Sequence, residues 1–93
     1  VVSPHNYNST TVGLAATLQV STNIPNFLIT EYFVNLESFG QEIAHNPFQV
    51  KDGYISIPQG PGLGIELNED ALKQHPYQPF PSRNIRQFNE EGP

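Results

Sequence analysis

The residues of this sequence best suited to acid–base chemistry are His5 and Glu31, which stand one strand–helix–strand unit apart. A histidine can take up or release a proton near neutral pH. A glutamate can orient a substrate, or donate a hydrogen bond to a developing anion when it is protonated. The same residues also fit a structural interpretation, in which His5 caps a strand and Glu31 is a solvated acid at a strand end. Spacing alone leaves both interpretations open.

The segment that separates these two residues predicts how they are positioned. Val1 and Val2 indicate the end of a strand, which Pro4 terminates because proline cannot donate to a ladder. Residues 9–22 predict a helix, and the apolar run at residues 27–29 predicts a strand buried on both faces. The expected apolar stripe of the helix is Val12, Ala15, Ala16, Leu18 and Gln19, and its candidate caps are Asn8, Ser9 and Thr10.

A strand, a helix and a strand within about 30 residues form a βαβ unit, whose strands are parallel. In parallel α/β folds the functional residues lie at the carboxyl ends of the strands. Neighbouring strands are about 4.8 Å apart. We therefore expect His5 and Glu31 to project into one crevice.

The second half of the chain is rich in proline and predicts short elements in a wrapping segment. Residues 35–44 predict a helix capped by Asn35. Val50 and Tyr54 flank Lys51-Asp52-Gly53 as a hairpin, because Asp-Gly favours a tight turn. A glycine-rich loop then leads into an apolar strand at residues 64–67.

A short helix follows, with Asn68 as its cap, a Glu69–Lys73 ion pair and a stop near Gln74, ahead of Pro76. The remaining residues, 77–93, predict a coil. We expect it to be partly docked through three aromatic side chains, Tyr77, Phe80 and Phe88.

Composition excludes several classes of function. The formal charge of −5, from nine acidic and four basic residues, argues against nucleic-acid binding. No apolar run approaches the roughly 18 residues of a membrane span. Cysteine is absent, so no disulfide or thiolate metal site is possible. We expect a cytoplasmic protein.

The other chemically suggestive groups favour structural interpretations. The GPGLG run lacks the third glycine of a dinucleotide fingerprint, because residue 65 is Ile. Ser9 beside His5 lacks a nucleophile elbow. The remaining groups fit surface or helix-capping positions better than a calcium loop, and they are His45, His75, Glu66, Glu69 and Asp70.

Four stretches together resemble a known family. They are PHN at residues 4–6, the thin helix VGLAATLQVS, PNFLITEY, and DGYISIPQGPGLGIELNEDAL. The resemblance is to the carboxyl-terminal part of the mandelate racemase and muconate lactonizing enzyme family, within the enolase superfamily. Within that family the Pro-His-Asn form is most similar to the acid-sugar dehydratases and related cycloisomerases.

The resemblance implies an α/β fold, the last βαβ unit of a (β/α)7β TIM-like barrel followed by an extended tail with a β-hairpin. Residues 1–34 would hold strand 7, helix 7 and strand 8. Residues 35–93 would be the tail that returns to an amino-terminal capping domain. The capping domain and barrel strands 1–6 would belong to the remainder of the polypeptide, in an enzyme that assembles as a homo-oligomer.

The resemblance also implies a chemistry, in which a proton is removed next to the carboxylate of a sugar acid and the enediolate is held on Mg²⁺. His5 matches the general acid or base, and Glu31 matches the acid that hydrogen-bonds the substrate carboxylate. This sequence departs from the family pattern because its acidic metal ligands, its lysine region and the aspartate that orients the histidine are missing. Mg²⁺ would therefore be bound by residues outside this chain.

Three functional hypotheses follow. The first is the carboxyl-terminal portion of a sugar-acid dehydratase or isomerase that is inactive alone. The second is a non-catalytic structural chain that completes a barrel with a partner polypeptide, since two strands cannot close a sheet. The third is a small sugar-binding module that uses the aromatic residues Tyr7, Tyr32 and Phe33.

Overall fold

The amino-terminal part of the chain places two segments side by side and parallel. The computed structural model describes residues 1–79 of the 93-residue sequence. Val2 and Phe27 form a parallel bridge, in which Val2 N donates to the Asn26 carbonyl at 2.7 Å and Leu28 N donates to the Val2 carbonyl at 2.9 Å. We call residues 1–4 the first paired segment and residues 26–31 the second. Their predicted parallel arrangement is confirmed.

Helix α1, Thr11–Ser21, connects the two paired segments. Thr10 precedes it with extended backbone and no side-chain cap, so the predicted capping hydrogen bond is wrong. The predicted apolar stripe is correct only in part, because Ala15 and Leu18 are buried but Val12 is exposed. Polar and apolar residues are mixed around α1, so spacing did not fix its buried face, which consists of Thr11, Leu14, Ala15, Leu18 and Ser21.

The apolar run at residues 27–29 had predicted a strand buried on both faces. This prediction is wrong for the second paired segment. Leu28 is 63% exposed, and Phe27 and Ile29 are also exposed. Among residues 1–79 no third strand pairs with either segment. Burial of a central parallel strand requires neighbours on both edges and layers on both faces, which this part of the chain does not supply.

Helix α2, Glu37–Glu42, follows a single 3₁₀ turn, Val34–Leu36. The predicted cap Asn35 is wrong, because it lies inside the 3₁₀ turn and neither element has a side-chain cap. The Thr11 hydroxyl donates to the Gly40 carbonyl at 3.1 Å and ties α1 to α2.

The Asp-Gly turn forms the predicted hairpin from β1, Val50–Lys51, and β2, Tyr54–Ile55. Val50 pairs with Ile55 and Lys51 with Tyr54, so the loop has two residues rather than three. Asp52 has φ +52° and Gly53 has φ +80°, the left-handed conformations that a tight hairpin turn requires.

The glycine-rich loop ends in one antiparallel bridge, Ala44 with Leu67, and the predicted strand at residues 64–67 is otherwise absent. The Asn46 side chain occupies this region instead, since Nδ2 donates to the Gly64 carbonyl at 3.0 Å and Oδ1 accepts from Glu66 N at 2.8 Å. A side chain that takes these backbone partners replaces a strand ladder.

Helix α3, Glu69–Lys73, begins as predicted at Asn68, whose Oδ1 accepts from Ala71 N at 3.2 Å. The predicted ion pair between Glu69 and Lys73 is wrong. The ammonium group of Lys73 instead lies 2.7 Å from Oδ1 of Asp70, which is three positions before it in the chain. The helix ends at Lys73, and Gln74 is its C-cap, which agrees with the expected stop near Gln74.

The tail prediction fails at its first aromatic residue, because Tyr77 is almost fully exposed. The other two predicted anchors, Phe80 and Phe88, lie outside the described residues. No helix in the part that the structure describes is long and apolar enough to cross a membrane.

Two glycines in the loop give a paired stability prediction. Gly62 has φ +63° with open space around it, so Gly62→Ala should lower the free energy of unfolding by about 1 to 2 kcal/mol. Gly64 has φ +74°, and an added Cβ would lie 2.5 Å from Pro58 Cβ. Gly64→Ala should therefore lower the free energy of unfolding by roughly 1 to 3 kcal/mol more than Gly62→Ala does. Urea unfolding of the two variants measures this difference. Equal losses of unfolding free energy would contradict the close approach of Gly64 to Pro58.

Candidate functional site

His5 and Glu31 meet at the carboxyl ends of the two paired segments. Glu31 N donates to the Pro4 carbonyl at 3.2 Å, which extends the pairing to this edge. His5 Nδ1 lies 2.8 Å from Glu31 Oε2. The expected convergence of the two side chains is therefore observed.

The pair is open to solvent in this chain, with the His5 side chain 80% exposed and that of Glu31 40% exposed. Ion pairs of this exposure contribute little to stability, because water screens the charges. The contact therefore matters for the position of the imidazole rather than for holding the fold together.

Asn6 is the buried polar centre of the site, and only 2% of it is exposed. Its Oδ1 accepts from the Thr17 hydroxyl at 3.0 Å, and its Nδ2 donates to Thr30 Oγ1 at 2.9 Å. Its backbone N donates to Glu31 Oε2 at 2.8 Å. Sequence reasoning did not single out Asn6, and its only signal was its place in the Pro-His-Asn triplet.

Aromatic side chains flank the pair. The ring of Tyr7 stacks on that of His5, with centroids 6.2 Å apart and planes 11° apart. Phe33 packs against Tyr7 at 4.8 Å. Tyr32 lines a different, small cavity beside α2, where burial raises its pKa and the nearby Glu37 carboxylate raises it further. Tyr7 and Phe33 thus form a wall beside His5, and Phe33 also lines the small cavity that holds Tyr32.

Comparison with known proteins identifies the family to which this fold belongs. Residues 1–71 match the family model for the enolase C-terminal domain-like part of mandelate racemase and muconate lactonizing enzymes. The chain belongs to the mandelate racemase/muconate lactonizing enzyme family. It is therefore part of a TIM-barrel-type enolase C-terminal domain.

Solved structures of the family share this backbone. The chain superposes on a protein from Burkholderia SAR-1, described as a mandelate racemase/muconate lactonizing enzyme, with a TM-score of 0.72 and 42% identity over 90% of this chain. It superposes on a protein from Mesorhizobium loti described as a dehydratase with a TM-score of 0.69 and 32% identity over 83%. The chain covers 20% and 21% of those two proteins.

Curated members of the mandelate racemase/muconate lactonizing enzyme family are also similar. A D-galactonate dehydratase family member from Pseudarthrobacter chlorophenolicus is 40% identical over 67 residues, or 72% of this chain. The D-xylonate dehydratase of Haloferax volcanii is 34% identical over 74 residues, or 80% of this chain. Muconate cycloisomerase 1 of Rhodococcus opacus is 40% identical over 63 residues, or 67%. The chain spans only 16 to 18% of the length of these relatives.

A second histidine–glutamate contact of this family member lies between α2 and the end of α3. His75 Nε2 is 3.0 Å from Glu42 Oε1, and its ring meets Phe39 edge-on at 5.1 Å. Within residues 1–79 no three histidine or acidic side chains come together as metal ligands. Family membership implies the use of a divalent metal, but the described residues do not fit a site for it.

An apolar cleft of about 470 Å³ lies between α1, the second paired segment and the hairpin. Exposed Leu28, Ile29, Val50 and Tyr54 contribute to it. Exposed aliphatic and aromatic groups gathered in this way mark a surface that is buried by another part of a protein or by a partner. We call this surface the apolar cleft.

Proposed function

We propose that this chain is the carboxyl-terminal portion of a Mg²⁺-dependent lyase or isomerase that removes the proton next to the carboxylate of a sugar acid, with dehydration as the reaction. The observation that carries the proposal is the 2.8 Å contact between His5 and Glu31 at the ends of parallel segments. The dehydratases among the relatives support the choice of reaction.

The proposed reaction removes one water molecule from the sugar acid. A base takes the proton from C2 of a 2,3-dihydroxy acid, and the electron pair moves into the carboxylate. The pair then returns to form the C2–C3 double bond as the C3–O bond breaks. His5 gives its proton to the departing hydroxyl, which leaves as water. The resulting enol becomes a 2-keto-3-deoxy acid. A histidine suits this task because its proton is exchangeable near neutral pH.

Glu31 supports the same reaction at the carboxylate of the substrate. Negative charge builds on the substrate carboxylate as the C2 proton leaves. When protonated, the Glu31 carboxyl donates a hydrogen bond to that carboxylate and stabilises the charge where it develops. Its place beside His5 supports this role, since both groups can then contact one small acid.

The remainder of the polypeptide completes the proposed site. Residues 1–34 form the last βαβ unit of the barrel, and residues 35–93 form a tail that returns to the amino-terminal capping domain. Mg²⁺ would be bound by residues outside this chain, as membership of the family implies. The complete enzyme is a cytoplasmic homo-oligomer.

A substrate screen tests the proposed reaction in the complete polypeptide. D-galactonate, D-xylonate and D-mannonate are the first candidates, because relatives are named for them. Mass spectrometry should show loss of one water and a 2-keto product. An isomer of unchanged mass would instead favour cycloisomerisation, the reaction named in the muconate and galactarolactone relatives. Absence of any product would argue for the structural alternative.

Glu31 variants test the assignment of the acid. Glu31→Ala should lower kcat/KM by about 10²- to 10³-fold, since it removes a hydrogen bond to developing charge. Glu31→Gln should lose less, because its amide still donates. Glu66→Ala, at an exposed position in the tail, is the matched control and should retain full activity. Equal activity of the Glu31→Ala and Glu66→Ala enzymes would remove Glu31 from the mechanism.

A structural role, in which this chain completes a barrel with a separate polypeptide, is the second candidate. The apolar cleft and the unpaired edges of the paired segments support it. Co-expression with a relative truncated before its matching segment tests this alternative. Copurification without recovered turnover would favour a structural chain, and recovered turnover that depends on His5 would favour a split enzyme.

A further inference from the structure

We propose that Tyr7 is a specificity-determining residue, whose ring contacts the carbon chain of the sugar acid beyond C3. This inference rests on the proposed function, because that function places C3 of the acid beside His5. The ring of Tyr7 lies parallel to the imidazole of His5, with the centroids 6.2 Å apart and the planes 11° apart. A molecule that binds against His5 and extends past it therefore meets the ring of Tyr7.

A tight turn of the main chain holds Tyr7 in this position. Ser9 N donates to the Asn6 carbonyl at 3.1 Å, so Tyr7 and Asn8 occupy the two central positions of the turn. Asn8 has φ +58°, a left-handed conformation that asparagine accepts more readily than most residues. Asn6 is 2% exposed and anchors the start of the turn. The main chain therefore presents Tyr7 beside His5, although Tyr7 itself is 58% exposed.

Phe33 supports the ring of Tyr7 from the end of the second paired segment. The two ring centroids are 4.8 Å apart, and the ring planes are inclined at 57°. Phe33 is half-buried, and its carbonyl accepts from Leu36 N at 3.1 Å in the 3₁₀ turn. Aromatic pairs at this separation attract each other beyond the area that they bury. The ring of Tyr7 is thus flanked by two other rings while more than half of the residue stays open to a ligand.

The chemistry of this ring suits the end of a sugar acid that is farther from the carboxylate. The proposed function assigns the substrate carboxylate to Glu31, which lies 2.8 Å from Nδ1 of His5, and C3 to the imidazole. The carbons beyond C3 then extend past His5, where Tyr7 lies. An aromatic face packs against the C–H groups of an open-chain polyol, and a phenol oxygen can donate to or accept from its hydroxyls. Tyr7 should therefore select acids with more than three carbons.

Two unreactive acids test the inference in the complete enzyme with Mg²⁺ present. Lactate is the 3-deoxy acid that ends at C3, and a six-carbon 3-deoxy sugar acid continues beyond C3. Tyr7→Ala should raise the Kd of the six-carbon acid by on the order of 10- to 100-fold, because contacts with a few carbon atoms discriminate by this amount. The Kd of lactate should not change, which would also show that the variant is folded. Isothermal titration measures both constants, with lactate measured by competition.

Three further variants separate the ring from other causes. Tyr7→Phe keeps the ring and should retain most of the affinity for the six-carbon acid. Phe33→Leu removes the supporting ring and should raise the Kd of that acid by a smaller factor than Tyr7→Ala does. Tyr77→Ala is the matched control, because Tyr77 is a largely exposed tyrosine that follows α3, and it should change neither Kd.

The possible failures of the inference and of the proposed function give different results. If Tyr7→Ala raises the Kd of both acids equally, Tyr7 does not act on the carbons beyond C3 and the inference is overturned. If Tyr7→Ala and Tyr77→Ala bind the six-carbon acid equally while the parent enzyme dehydrates its sugar acid, the inference fails and the proposed function stands. If the parent enzyme binds neither acid and converts no sugar acid, the proposed function fails, and the inference fails with it.

Discussion

Replacing His5 by asparagine in the complete enzyme is expected to lower kcat on its sugar acid by about 10²- to 10⁴-fold, the usual contribution of a positioned proton donor or acceptor. Asparagine is similar in size to histidine and its amide can still donate to Glu31 Oε2, which lies 2.8 Å from His5 Nδ1. It cannot transfer a proton. The substitution therefore removes proton transfer while retaining the contact with Glu31. Steady-state kinetics with the sugar acid that the enzyme converts measures the fall in kcat.

His75→Asn is the matched control for this experiment. His75 also lies close to a glutamate, with Nε2 3.0 Å from Glu42 Oε1, but it follows α3 and is remote from the paired segments. We expect an unchanged kcat for this variant. If both histidine variants retain full turnover, the general acid is another residue.

Leu28→Ala is expected to reduce the free energy of unfolding of the complete enzyme by roughly 2 to 5 kcal/mol, the usual cost of truncating a core leucine. Leu28 is 63% exposed here and lies in the apolar cleft. Under the proposed architecture, the rest of the barrel covers this cleft, so the side chain becomes part of a core. Denaturant unfolding of the complete enzyme measures the loss.

Val34→Ala provides the comparison for Leu28. Val34 is likewise exposed, but it lies on the 3₁₀ turn and does not line the cleft. Its truncation should change the free energy of unfolding by no more than about 0.5 kcal/mol, as is usual for surface positions. A Leu28→Ala effect as small as this would show that the cleft remains open in the assembled protein.

Local sequence signals predicted the elements whose cause is local. The Asp52-Gly53 dipeptide indicated the hairpin, because only a few residue types accept its left-handed turn. Asn68 indicated the start of α3 by its capping oxygen. The convergence of His5 and Glu31 followed from one topological rule, since parallel neighbours end at the same edge.

Features that depend on distant partners could not be predicted in this way. The side chain of Asn6 forms hydrogen bonds with Thr17 and Thr30, which are 11 and 24 positions further along the chain. Nothing in the local sequence around Asn6 distinguishes it from Asn8. The buried face of α1 was assigned only in part because polar and apolar residues are mixed around that helix. The burial predicted for residues 27–29 assumed neighbouring strands that residues 1–79 do not contain.

A crystal structure of the complete polypeptide with a 3-deoxy analogue of its sugar acid would test the central claim most directly, because the analogue has no hydroxyl to lose and remains bound unreacted. The account predicts that the imidazole of His5 faces C3 of the analogue and that the Glu31 carboxyl lies within hydrogen-bond distance of its carboxylate, roughly 2.6 to 3.2 Å. An analogue that binds with neither side chain in contact would contradict it.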